Sequence, residues 1–175
     1  IKEKIEQFKS WAPSVPEIED LSNHDTVLLG CQEYEVIKFS GHCDQQLCFY
    51  NHDNNVMFAG DVLVTPNHLN IVSKEPLSLY FEAVERIRDL GLSQLIPSHG
   101  KPFGRVSVRV GLIADYRKQQ LEELREYAAQ EITVYQAYLF LANRGALTDL
   151  LFGLTEIYYF LEYLVMQSYL EKETR

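Results

Sequence analysis

Cysteine is scarce in this chain. Cys31, Cys43 and Cys48 are the only three, and no two form a CxxC pair. That excludes a disulfide framework, and the odd count suits a reducing, cytoplasmic compartment. Long apolar runs are also missing: none approaches the roughly 20 residues of a membrane span, so no membrane partner is expected. No secretory leader is expected, because the N-terminal stretch is charged and helical in pattern. Positive charge is in deficit, with 16 Lys and Arg against 25 Asp and Glu and a net charge of −9. A surface of that sign repels phosphate backbones, which argues against nucleic acid as a partner. No internal repeat or low-complexity tract is present. What remains is 175 residues that are 46% hydrophobic, enough for a compact core and too apolar for global disorder.

Periodicity organises the chain. Ile1 to Trp11 reads as a helix that Pro13 and Pro16 end. Strands are expected at Asp25–Leu29 and Tyr34–Phe39. A hairpin joins Leu47–Tyr50 to Val56–Ala59 through a turn of Asn and Asp residues. A long loop from Leu63 to Glu75 precedes a helix from Leu77 to Leu90, with Pro76 before it and Gly91 after it. Ser93–Ile96 is a short strand and Lys101–Arg105 a loop. Val106–Gln130 is a long helix with Val110, Ile113, Leu121, Leu124 and Ala128 on one stripe. Beyond Glu131, Thr133 and Gln136 have the spacing of a capping box for a helix to about Asn143. Gly145, a short helix at Leu147–Phe152 and a long one at Thr155–Glu171 complete a helix-turn-helix pattern.

Three short stretches carry chemistry. Phe39-Ser-Gly-His42 follows one strand, Phe58-Ala-Gly-Asp61 ends another, and Pro97-Ser-His99-Gly100 ends a third. Each polar residue sits at a strand end beside a glycine, where α/β folds place their sites and where the backbone can crowd a small centre. Imidazole and carboxylate are the usual ligands of catalytic zinc. Any one of these residues alone would read as an ordinary loop residue; three together do not. His68 in the long loop is a candidate for the substrate pocket, set against a plain surface histidine. Cys43 is a second possible ligand or a small buried thiol. Lys101 and Arg105 are suited to an anionic substrate or to solvent.

As a set these stretches resemble the third, fourth and fifth motifs of the metallo-β-lactamase fold superfamily. The resemblance implies an α/β fold: the C-terminal half of an αββα sandwich in residues 1–130, followed by a small winged-helix-like appendage in 131–175. It implies a metal-dependent hydrolase of a small-molecule ester, thioester, amide or phosphodiester with two zinc ions. His42 would bind one zinc and His99 the other, with Asp61 bridging them as the catalytic carboxylate. The family's earlier His-x-His-x-Asp-His signature is absent, and His24, His52 and His68 are isolated in sequence. Residue 1 is Ile. The expectation is therefore a truncated chain, inactive alone and binding little or no zinc, that forms a homodimer or holds a missing N-terminal segment. The alternative is a non-catalytic interaction module that keeps the fold. The appendage is not read as DNA-binding: from Glu131 onward three basic residues face six acidic ones, a net of −3, and Tyr158, Tyr159, Phe160, Tyr163 and Tyr169 replace a basic face.

Overall fold

In a computed structural model, residues 20–63, 77–143 and 150–171 are described. They form one six-stranded sheet with strands in sequence order across it. The strands are β1 (Thr26–Leu29), β2 (Gln32–Phe39), β3 (Gln46–Asn51), β4 (Val56–Gly60), β5 (Gln94–Pro97) and β6 (Phe103–Gly104). Every neighbouring pair is antiparallel except β4 and β5, which are parallel. A parallel pair needs a crossover, and helix α1 (Leu77–Asp89) supplies it. The α2 (Val106–Tyr127), α3 (Val134–Ala142) and α4 (Leu150–Met166) helices follow.

The register sorts the side chains onto two faces. Ile37 opposes Cys48, Met57 opposes Leu95, and Leu95 opposes Phe103. All of these are buried in the core with residues from each helix: Val84 and Ile87 of α1, Val110 and Leu124 of α2, Leu141 of α3, and Ile157 and Phe160 of α4. The helices beyond Glu131 thus share one apolar core with α1 and α2. On the other face Val36 opposes Phe49 and Phe49 opposes Phe58, with the Tyr34 ring 5.7 Å from that of Phe58.

Several expectations change in detail. The segment read as the loop Lys101–Arg105 contains β6, because the Phe103 side chain joins the core opposite Leu95. The long helix stops at Tyr127. The two helices expected at Leu147–Phe152 and Thr155–Glu171 are a single helix, α4, because Gly153 is packed against the core and does not break the turn. Its buried residues include Glu156, Ile157, Phe160 and Leu164, whereas Leu161 and Val165 are half-buried. The Thr133–Gln136 capping box is present as read. Among the described residues after Gly104 every element is helical. The Ile1–Trp11 helix, Pro13 and Pro16, most of the long loop with His68, Pro76 and Gly145 lie outside the described residues.

Candidate metal centre

Strand directions bring the three motifs together. Two antiparallel steps separate β2 from β4, and β5 runs parallel to β4, so β2, β4 and β5 all point the same way. Their C-terminal ends share one end of the sheet, and His42, Asp61 and His99 follow those ends. His42 Nε2 lies 3.6 Å from Asp61 Oδ2, and His99 Nε2 lies 3.7 Å from Asp61 Oδ1. Each imidazole therefore addresses a different oxygen of one carboxylate. The side chains of His42 and Asp61 are 12% and 24% exposed, while that of His99 is 75% exposed.

Local backbone geometry sets this arrangement. Gly60 has φ +55, and the β4–β5 register shifts between Phe58 and Gly60. A tight turn follows, in which the Val62 N–H donates to Ala59 O at 3.2 Å. The turn swings Asp61 back over the strand end, and the Ser98 N–H ties it there through Gly60 O at 3.0 Å. Ser98 Oγ then donates to Asp61 Oδ1 at 2.7 Å and fixes the carboxylate plane. The residue before His42 is equally constrained. Gly41 has φ +127, and a Cβ there would stand 2.6 Å from Tyr80 Cα. Only glycine allows the loop to rest on the α1 main chain in this way. Cys43 Sγ donates to Gln46 Oε1 at 3.8 Å.

The donor set fits metal in pairs. Two ligand atoms about 2.0–2.2 Å from a tetrahedral zinc stand roughly 3.3–3.5 Å apart. The His42–Asp61 and His99–Asp61 separations are close to that and longer than a hydrogen bond. Among the described residues no three His, Cys, Asp or Glu side chains converge on one point. The trio thus offers two imidazole–carboxylate pairs that share Asp61, with no single point on which all three converge.

A second His–carboxylate–His trio, not visible in the sequence, lies toward the other end of the sheet. His24 and His52, isolated along the chain, meet at Glu35. His24 Nδ1 is 2.5 Å from Oε1 and His52 Nε2 is 2.5 Å from Oε2. These are closed hydrogen bonds, and with the two imidazoles they hold the Glu35 carboxyl below its ordinary value, the His24 bond most strongly. The only sequence signal for this cluster is the alternation that puts Glu35 beside β1 and β3. The same three groups are thus closed on themselves at Glu35 and held open at Asp61.

The sheet is backed by helices on one face and carries paired imidazole and carboxylate side chains beyond its strand ends. The metallo-beta-lactamase superfamily model matches residues 3–99. The chain belongs to the metallo-beta-lactamase superfamily. It is 27% identical over 88 residues to the acyl-coenzyme A thioesterase MBLAC2 of Homo sapiens, covering 48% of this chain and 32% of that protein. It is 21% identical over 117 residues to the probable metallo-hydrolase YqjP of Bacillus subtilis (strain 168), covering 61% of this chain and 37% of that one. The chain thus spans about a third of the curated relatives it matches. Among solved structures, a metallo-beta-lactamase family protein from Thermus thermophilus superposes with a TM-score of 0.80 at 21% identity, over 94% of this chain and 54% of that chain. A beta-lactamase domain protein from Burkholderia ambifaria does so with a TM-score of 0.79 at 24% identity, over 91% and 50%. Both carry the fold. No helix among the described residues is long and apolar enough to cross a membrane.

Proposed function

We propose that this chain provides one side of a zinc-dependent hydrolase centre that acts on an ester or thioester of a small molecule. The observation that supports it is the opposed placement of His42 and His99 on the two oxygens of Asp61. In this reading His42, Asp61 and His99 would be the residues that hold the zinc. Zinc bound there would supply a Lewis acid for the substrate carbonyl and a water acidic enough to act as nucleophile near neutral pH. The chain's own residues do the positioning. Ser98 keeps Asp61 Oδ1 oriented, Gly60 aims the carboxylate, and Gly41 brings His42 to its edge. The thioester preference is drawn from the name of the thioesterase relative. His68 is the chain's candidate for meeting substrate.

Two imidazole–carboxylate pairs need further ligands, so the isolated chain is expected to hold little zinc and to hydrolyse nothing. A second reading, an interaction module that keeps the fold without metal, is favoured by the lack of three convergent donors among the described residues. Elemental analysis after dialysis, combined with thioester hydrolysis, on a longer protein that includes this chain separates the two. Zinc uptake and turnover that both vanish in Asp61→Ala are the expected result. A longer protein that is metal-free and inert across a panel of esters and thioesters would establish the interaction module.

A further inference from the structure

Three helices meet at one buried polar point beneath the candidate centre. Arg117 of α2 is 1% exposed, and its Nη1 donates to Glu156 Oε1 of α4 at 2.8 Å and to Gln120 Oε1 at 2.7 Å. Arg117 also hydrogen-bonds the hydroxyl of Tyr80 on α1, itself 3% exposed. Neither the apolar pattern of the helices nor the metal-ligand chemistry accounts for this cluster. Burying an arginine and a glutamate is costly unless they are paired, and an apolar trio would pack as well. The cluster's position is informative. Tyr80 is the residue whose main chain supports Gly41, with 2.6 Å between its Cα and any Cβ placed on Gly41. The next residue is His42.

We infer that Tyr80, Arg117 and Glu156 are positioning residues for the candidate centre: through them α4 sets where α1 holds Gly41, and so where His42 stands relative to Asp61. This assigns the C-terminal helices a task in the site although they supply no ligand. It rests on the reading of His42 as a metal ligand. The mechanical link is independent of that reading, because a helix main chain in contact with a loop main chain cannot yield by changing a rotamer.

Cys43 reports on the loop without metal. It is half-buried beside His42, whereas Cys48 is fully buried, with a thiol that burial pushes up to about 12. In a Cys31→Ser background, the rate of Cys43 reaction with an aromatic disulfide reagent is measured for Tyr80→Phe, Glu156→Ala, Glu156→Gln and Leu141→Ala. Leu141 is a core residue of α3, 1% exposed, and serves as a control for lost stability. Tyr80→Phe and Glu156→Ala are expected to raise the rate about 5-fold or more. Leu141→Ala at a matched drop in Tm should leave it unchanged, and Glu156→Gln, which keeps an acceptor for Arg117, should restore it. Rates that follow Tm whichever residue is changed would overturn the inference. If Tyr80→Phe does not fold, the contrast between Glu156→Ala and Glu156→Gln decides alone. Zinc uptake by a longer protein that includes this chain and takes up zinc is measured separately, with and without His42→Ala: equal uptake would remove the metal reading and leave the Cys43 result standing on its own.

Discussion

His42 and Asp61 face each other at 3.6 Å, a separation too long for a hydrogen bond and close to that of two ligands on one zinc. His52 and Glu35, the same pair of groups on the same sheet, are closed at 2.5 Å. The difference lies in what holds each carboxylate. Glu35 projects from a regular strand between two exposed imidazoles. Asp61 hangs from a glycine turn, with Ser98 already bonded to one of its oxygens.

Ser98 should therefore matter to metal more than to folding. Ser98→Ala frees Asp61 Oδ1 and is expected to weaken zinc affinity of the completed centre about 10-fold, within the roughly 10–100-fold range of outer-shell losses. Competition with a chromophoric chelator measures it. Unchanged affinity would show that the turn alone orients the carboxylate.

Gly41 and Gly30 provide a matched pair for stability. Both have positive φ, but a Cβ at Gly30 meets nothing within 4 Å, while one at Gly41 meets the Tyr80 main chain. Gly30→Ala should cost about 1 kcal/mol, the left-handed penalty. Gly41→Ala adds a backbone clash and should cost about 3 kcal/mol or more, lowering Tm by roughly 6–12 °C in a domain of this size. Thermal denaturation of the two variants side by side gives the comparison, and equal shifts would mean the loop can lift off α1.

Glu156 predicts an uncommon pH dependence. Burial pushes its carboxyl up to about 7, with the paired Arg117 pulling the other way. The folded-state value lies above the unfolded one of 4.5, so the folded protein binds the extra proton. Its contribution is fully present below pH 4.5 and is lost as pH rises through about 7. Stability should fall by up to roughly 3 kcal/mol between these limits, and Glu156→Gln should flatten the curve. Glu35 acts in the opposite sense: its lowered carboxyl contributes above the unfolded value and is lost on further acidification. Urea unfolding at a series of pH values tests both. A profile identical in wild type and Glu156→Gln would place the titration elsewhere.

The sheet face opposite the helices predicts association. Phe58 is 38% exposed there, and Leu47, Phe49, Val56 and Ile96 are each half-buried. An apolar face of this kind seeks a partner. A homodimer, or a tightly held upstream segment where one is present, is the expected result in light scattering. A monomer at high concentration with no bound peptide would count against it.

Much of this was legible in the residues. Alternation located the strands of the hairpin, the 3.6-residue period located α1 and α2, and Thr133 with Gln136 marked the start of α3, because each signal is local and each is decided by burial or capping within a few residues. The three strand-end motifs pointed to His42, Asp61 and His99 for the same reason: a polar residue beside glycine at the end of an apolar run is a local pattern.

What the chain could not show by itself depends on contacts between distant segments. Only the shared direction of β2, β4 and β5 places His42 and His99 on opposite oxygens of Asp61, and only the register brings His24 and His52 to Glu35. Nothing in the sequence marks Arg117 and Glu156 as buried, yet they pair with each other in the interior across 39 residues. Pairing of that kind has no period and no neighbouring signal. It is decided when the helices pack, since a buried charge is tolerated only where its counter-charge arrives with it.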